Sequence, residues 1–177
     1  MSNYYNPVKV IKTDNWLPEL NKRMQQLNIS SPIIVTSSGN RKRLNLDSQF
    51  DPNSIFSDVG TNPTFDTCEN AVEFCEGKMF DGVVAIGGGS AMDTAKVVKA
   101  HLCFEKSNIF ELIGYTDDYP KTIPSIFLPT THGTASEVTM WGIVWNMEEK
   151  KKIFYFSHRF ISKYGNSRCW FNAITSS

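Results

Sequence analysis

The sequence lacks the features that mark several large classes of protein. No net charge remains, because 18 lysines and arginines balance 18 aspartates and glutamates, so neither nucleic acid nor a membrane surface is an expected partner. Two short basic runs, NRKR and KKK, are interpreted as solvated surface. No apolar run approaches the length of a membrane span, and the first residues, MSNYYNPVKVIK, lack the apolar centre of a signal peptide. The four cysteines include no CxxC pair, which indicates reduced thiols in a cytoplasmic protein.

Segments typical of strands alternate with segments typical of helices through residue 152. Apolar residues at helical spacing run through DNWLPELNKRMQQLN, and continuous apolar runs typical of buried strands are SPIIVTSS, VVAIGGG and IPSIFLPTT. Further helices are predicted from Thr64 or Asp66 onward and in SAMDTAKVVKAHLCF, with a short strand in 55–61. This alternation predicts an α/β fold, a parallel sheet covered by helices, with ligands at the carboxyl ends of the strands.

The strongest local signal is VVAIGGGSAMDTAK, in which a buried strand leads through glycines into a helix. Glycines let the backbone turn tightly and let a phosphate approach, and the amino end of a helix favours an anion. Ser90 can cap the helix and donate to a phosphate oxygen, and Asp93 and Lys96 follow on the same face. The alternative interpretation is a Gly-rich turn with a capped surface helix. The turn comprises Gly87, Gly88 and Gly89.

The second signal is LPTTHGTASEVT, a hydroxyl-rich loop after another predicted strand. Its hydroxyl side chains belong to Thr130, Thr131, Thr134, Ser136 and Thr139. Such a cluster suits ribose and pyrophosphate, although a Ser/Thr-rich turn that caps the next helix is the alternative. Two phosphate-compatible loops at the ends of two parallel strands favour a nucleotide ligand.

GGGSAMDTAK and PTTHGTASEVT, together with NPT at 62–64, resemble the N-terminal half of the iron-containing (group III) alcohol dehydrogenase family. The resemblance covers residues 5–152, and dehydroquinate synthase and glycerol-1-phosphate dehydrogenase are less similar to GTASEVT. It implies a Rossmann-like dinucleotide-binding domain followed by a helical metal-binding domain. The implied chemistry is hydride transfer between NAD(P)H and a small aldehyde or primary alcohol, with a divalent metal, usually iron, as Lewis acid.

The resemblance also implies which residues contact the coenzyme. Gly88, Gly89 and Ser90 would contact the pyrophosphate, beside Gly87 and Asn62, and Asp93 would lie near the nicotinamide side. The residues that would line the dinucleotide are Thr130, Thr131, Thr134 and Thr139. His132 departs from the family pattern, which has a small residue there, and we expect it to face solvent or the ribose.

The end of the strand at 31–36 bears on the choice of coenzyme. Many family members have an Asp directly after this strand, where it would bind the adenine ribose, whereas here Ser37 and Ser38 follow. An acid would repel a 2′-phosphate, and the cations of the following RKR would attract one. We therefore expect NADP to be preferred, with NAD as the alternative.

Several substrates and one different function stay open. The substrate would be a small aldehyde, and the candidates include an ordinary aldehyde, a semialdehyde acid and phosphonoacetaldehyde. The competing function is a stand-alone nucleotide-binding module without catalysis. Family members are often homo-oligomers. For these 177 residues by themselves we expect nucleotide binding without turnover, with no catalytic residue in the chain.

Residues 153–177 do not follow the family pattern that holds through 1–152. One extra nucleotide in the run that encodes Lys150–Lys152 would explain the change, because the shifted reading permits the family's LYP followed by AILD. We expect this tail to be poorly ordered or opportunistically packed; a naturally divergent C-terminus is the alternative. The ligands for Fe²⁺ and the helical domain would then be missing, since three histidines in unrelated contexts cannot form the family's metal site: His101, His132 and His158.

Overall fold

The computed structural model describes residues 8–104, 108, 111, 123–131, 133–139, 141–156 and 171–175. None of the helices within these ranges has the length and apolar character of a membrane span. The elements in chain order are β1 (Lys9–Lys12), α1 (Trp16–Gln26), β2 (Pro32–Thr36), α2 (Ser38–Arg43), β3 (Ile55–Phe56), α3 (Phe65–Glu73), β4 (Gly82–Gly87), α4 (Gly89–Phe104), β5 (Ser125–Pro129), β6 (Trp141–Asn146), β7 (Lys151–Phe156) and β8 (Phe171–Thr175).

Six strands form one sheet in the order β1-β8-β5-β4-β2-β3, and every pairing in it is parallel. Alternate residues of β4 pack on opposite faces of this sheet: Val83 and Ala85 join one apolar cluster, and Val84 and Ile86 join another. Each cluster needs its own layer of helices, which is why β4 is a continuous apolar run. The predicted α/β fold with a parallel sheet covered by helices is confirmed.

Two helices, α3 and α4, begin near the carboxyl edge of the sheet. Thr64 caps α3, since its Oγ1 atom accepts from the backbone N–H of Thr67 over 3.1 Å. Every residue of α4 from Ala91 to Ala100 is buried, because the helix packs on the sheet and also on α3 and β6. The alternative of a capped surface helix at this position is therefore wrong.

The structure differs from the sequence prediction in its smaller strands. β1 was not predicted, the strand expected in 55–61 is only Ile55–Phe56, and β6 and β7 form an antiparallel hairpin. Within residues 153–177, β7 continues to Phe156, and β8 pairs with β1 on one side and β5 on the other. The pairing of β8 gives the backbone groups beside β5 hydrogen-bond partners. The domain boundary at 152 and the frameshift stay predictions.

Candidate functional site

The glycine turn after β4 lies against the hydroxyl-rich loop after β5. A Cβ atom on Gly88 would come within 2.9 Å of Thr131 Oγ1, and one on Gly89 within 2.9 Å of Thr134 Cγ2. The backbone N–H of Thr130 donates to the carbonyl oxygen of Gly87 over 2.9 Å. The two loops can approach this closely only because the turn carries no side chains.

This junction has the chemistry of an anion site. The helix α4 begins at Gly89, and the first N–H groups of a helix have no partner within the helix and lie at its positive end. Thr131 and Thr134 are exposed beside this end, and Thr130 is half-buried. Backbone donors, a helix end and hydroxyl groups therefore surround one position that a phosphate could occupy.

Two more segments reach the same edge through hydrogen bonds. The Ser90 hydroxyl donates to the carbonyl oxygen of Thr61 over 2.6 Å, which holds the exposed Asn62 next to the turn. The contact of Ser90 with the pyrophosphate stays a prediction. The side chain of Asn40 donates to the carbonyl oxygen of Ile86 over 3.4 Å.

The end of β2 joins the edge through Asn40. Ser37 is the N-cap of α2 and accepts from the backbone N–H of Asn40 over 3.3 Å, while Ser38 is exposed. Asn40 therefore links Ser37 to β4. The sequence contained no signal for Asn40, because its role depends on a neighbouring strand.

Asp93 is held inside the protein by several hydrogen bonds. It is only 8% exposed, and its carboxylate is held by protein donors. Oδ1 accepts from the Ser136 hydroxyl over 2.6 Å and from Lys96 Nζ over 3.3 Å, and Oδ2 accepts from the backbone N–H of Ile143 over 3.2 Å. Asp93 thus ties α4 to the hydroxyl-rich loop and to β6. Its position near the nicotinamide side stays a prediction.

Lys96 completes this buried cluster. Its side chain is fully buried, and Nζ lies 2.6 Å from Ser136 Oγ and 3.4 Å from Thr139 Oγ1. Burial lowers the pKa of Lys96 to about 8, and the carboxylate of Asp93 opposes that change. Thr139, at the end of the hydroxyl-rich loop, is thus a partner of Lys96. Its contact with the dinucleotide stays a prediction.

Arg41 is held by two residues that follow α2 in the chain. Its Nε atom donates to the carboxylate of Asp47 over 3.0 Å, and its Nη1 atom donates to Ser57 Oγ over 3.2 Å. Arg43 donates to Asn40 Oδ1 over 2.7 Å. Lys42, the remaining cation of RKR, is exposed.

The described residues do not fit an iron site. Within the ranges given above, no three His, Cys, Asp or Glu residues lie together in a way that could hold a metal ion. His101 lies in the last turn of α4. The predictions for His132 and His158 fall outside the described residues.

The comparisons with known proteins define the class. The model of the iron-containing alcohol dehydrogenase family matches residues 7–164, so the chain belongs to this family, and the resemblance seen in the sequence is confirmed. The family proteins are oxidoreductases.

Individual relatives agree with this assignment. NADH-dependent butanol dehydrogenase B of Clostridium acetobutylicum is 30% identical over 132 residues, which are 70% of this chain and 34% of that protein. Mitochondrial hydroxyacid-oxoacid transhydrogenase of Caenorhabditis elegans is 34% identical over 103 residues, 55% of this chain and 22% of that protein. Sulfoacetaldehyde reductase from Bifidobacterium kashiwanohense, solved in complex with NAD⁺, is 26% identical with a TM-score of 0.81; the alignment covers 99% of this chain and 46% of that one. The chain thus spans less than half the length of these relatives.

Proposed function

We propose that this chain binds the pyrophosphate of NAD(P)H at the amino end of α4, and that it serves the hydride transfer of an alcohol dehydrogenase or aldehyde reductase. The observation that carries the proposal is the direct contact between the turn at Gly88 and Gly89 and the loop at Thr131 and Thr134. It lies at the carboxyl edge of a parallel sheet, where such folds bind nucleotides.

Each part of the edge has a task in this proposal. The backbone of Gly87–Ser90 receives the phosphate oxygens, and Thr130, Thr131 and Thr134 provide hydroxyl groups beside them. Ser37 and Ser38 face the adenine ribose from the end of β2, and Asn62 closes the edge from the loop before α3. When bound, the coenzyme supplies the hydride, and the residues of this chain bind and orient it.

We propose further that NADPH is preferred over NADH. Ser37 and Ser38 present small hydroxyl side chains at the end of β2, and the exposed Lys42 follows on α2. A 2′-phosphate would gain from this cation, whereas Arg41 is committed to Asp47. Asp58, which forms an isolated backbone bridge with Ser37, is the acid that would oppose this preference.

The substrate proposed for the whole protein is a small aldehyde that is reduced to an alcohol. The similarity to a sulfoacetaldehyde reductase supports an aldehyde with an anionic group, such as phosphonoacetaldehyde or a semialdehyde acid, as the specialised alternative. A nucleotide-binding module without catalysis is the candidate from another class.

Coenzyme titration followed by a turnover assay tests these proposals. NADPH and NADH are titrated into the 177-residue chain by nucleotide fluorescence, and oxidation of NADPH is then followed with a panel of small aldehydes, with and without Fe²⁺. We expect saturable binding, tighter for NADPH, and no aldehyde-dependent oxidation. Absence of binding of either nucleotide to the folded chain would overturn the proposed function. Tighter binding of NADH would overturn only the proposed preference for NADPH. Fe²⁺-dependent turnover would overturn the alternative of a nucleotide-binding module without catalysis.

A further inference from the structure

Two buried lysines on α4 have different partners. Lys96 and Lys99 are 0% and 1% exposed, respectively. Lys99 donates to Ser125 Oγ in β5 over 3.2 Å, so that it ties the helix to the sheet. Lys96 instead points to Ser136 in the hydroxyl-rich loop. Burying an ammonium group is unfavourable unless it is well bonded, so the burial of each lysine has to be explained by its partners.

We propose that Lys96, Asp93 and Ser136 form a clasp that positions the hydroxyl-rich loop against the glycine turn, and that these three are positioning residues for coenzyme binding. The inference rests on the proposed function, because the loop that the clasp holds is the one that carries Thr131 and Thr134. None of the three residues needs to touch the coenzyme.

The hydrogen bonds of Ser136 show how the clasp works. Its Oγ atom accepts from Lys96 and donates to Asp93, both over 2.6 Å. Both partners lie on α4, so these bonds join the loop to the helix. The backbone N–H of Ser136 donates to Thr134 Oγ1 over 3.4 Å. A displacement of Ser136 would therefore move Thr134, which stands against Gly89.

The backbone before Ser136 supports the same conclusion. Ala135 has φ of 51° and ψ of 25°, a left-handed conformation that non-glycine residues rarely adopt. Such conformations persist where the surrounding contacts determine them. Ser136 directly follows Ala135, and its bonds to Lys96 and Asp93 hold it in place. Asp93 is in turn held by the backbone N–H of Ile143 in β6.

The test compares Lys96→Met and Ser136→Ala with Lys99→Met as the matched control. All three variants remove a buried polar group, but only the first two remove the clasp. The dissociation constant for NADPH is measured by fluorescence at a temperature where circular dichroism shows every variant folded. We expect binding about tenfold weaker for Lys96→Met and for Ser136→Ala, the loss typical of one bond to a charged group. Lys99→Met should stay within about twofold of the wild type, and the double variant Lys96→Met/Ser136→Ala should be little weaker than either single one.

Hydrogen exchange gives a readout that does not need the coenzyme. Amides of 133–139 should exchange faster in both clasp variants and at the wild-type rate in Lys99→Met. Equal dissociation constants in the folded variants, or an equal loss in Lys99→Met, would overturn the clasp. If Lys96→Met does not fold, Ser136→Ala decides, because it removes one hydroxyl group. If the wild type binds no coenzyme, the proposed function fails, and the exchange rates still decide whether the clasp exists.

Discussion

The Oγ atom of Ser90 lies 2.6 Å from the carbonyl oxygen of Thr61 and donates a hydrogen bond to it. A hydroxyl group in the first turn of α4 thus holds the loop that precedes α3. The glycine turn is thereby supported from two sides, by this loop and by the contact of Gly88 with Thr131. The geometry of the turn is set by the protein before a ligand arrives, which lowers the entropy cost of binding.

Replacement of Ser90 by Ala should destabilise the protein by about 1 kcal/mol, because the carbonyl oxygen of Thr61 loses its donor. Urea denaturation followed by circular dichroism measures this change. Ser54→Ala is the control, since the hydroxyl of Ser54 donates to the carbonyl oxygen of Asp51 within its own turn, and its loss should cost a few tenths of a kcal/mol. An equal cost for the two variants would show that the link to Thr61 contributes nothing.

Replacement of Gly88 by Ala should weaken coenzyme binding while the fold persists. The added Cβ atom would lie 2.9 Å from Thr131 Oγ1, so the hydroxyl-rich loop must move away from the turn. Gly60→Ala is the control, because a Cβ atom there meets nothing within 4 Å. Titration with NADPH should show a dissociation constant about tenfold higher for Gly88→Ala and unchanged for Gly60→Ala. Unchanged binding in Gly88→Ala would show that the glycine turn is not part of the coenzyme site.

Two buried thiols should make the protein sensitive to alkali. Burial raises the pKa of Cys68 and that of Cys75 from 9.0 to about 12. Between these values the unfolded chain has released protons that the native state keeps, so the free energy of unfolding falls as the pH rises, by at most about 1.4 kcal/mol per pH unit for each thiol.

Urea denaturation at pH 9 and pH 10.5 checks the effect of the thiols. The loss of stability should be smaller in Cys68→Ala/Cys75→Ala than in the wild type, because the other titrating groups are common to both proteins. Parallel pH profiles for the two proteins would contradict the prediction. The comparison uses the change in the free energy of unfolding with pH, so the pH-independent destabilisation caused by replacing two core side chains cancels.

The titration of Lys96 should change the free energy of unfolding in the opposite direction. Burial lowers its pKa from 10.5 to about 8 in the native state, so between these values the unfolded chain holds more protons. The free energy of unfolding contributed by this group therefore rises with pH from about 8 to about 10.5. The wild type should gain stability relative to Lys96→Met across this window. A constant difference between the two proteins would show that Lys96 does not titrate there.

The nucleotide sequence tests the proposed origin of residues 153–177. We expect one extra base in the adenine-rich run that encodes Lys150–Lys152, and we expect the shifted frame to continue with the family pattern. Deleting that base and expressing the restored protein should yield iron-dependent aldehyde reduction. A run without an extra base, followed by no family-like sequence in another frame, would leave a naturally divergent C-terminus as the explanation.

The central strands and helices could be predicted because their signals are local. Continuous apolar runs mark β2, β4 and β5, and Thr64 caps α3 as expected. β1 could not be predicted, since KVIK is short and its partner in the sheet, β8, comes from the other end of the sequence. The hairpin of β6 and β7 was missed although its two halves are rich in aromatic and β-branched residues.

The contact between the two loops could be predicted from the sequence, whereas the side-chain bonds behind them could not. Glycines after one strand and hydroxyls after another pointed to loops that the structure brings into contact. The burial of Lys96 could not be seen, because lysine is seldom fully buried and its spacing from Asp93 also suits a surface pair. Likewise, the bond of Arg41 to Asp47 depends on how the chain turns between α2 and β3.

The position of β8 between β1 and β5 governs the order in which the chain can fold during synthesis. β2, β3, β4 and β5 can pair as soon as residue 129 has left the ribosome, but β1 waits for residues 171–175. Until then β5 presents an unpaired edge, and the first strand made has no neighbour. Contacts between such distant segments form slowly, so the nascent protein is open to pairing with other chains, and chaperones should matter most during this interval.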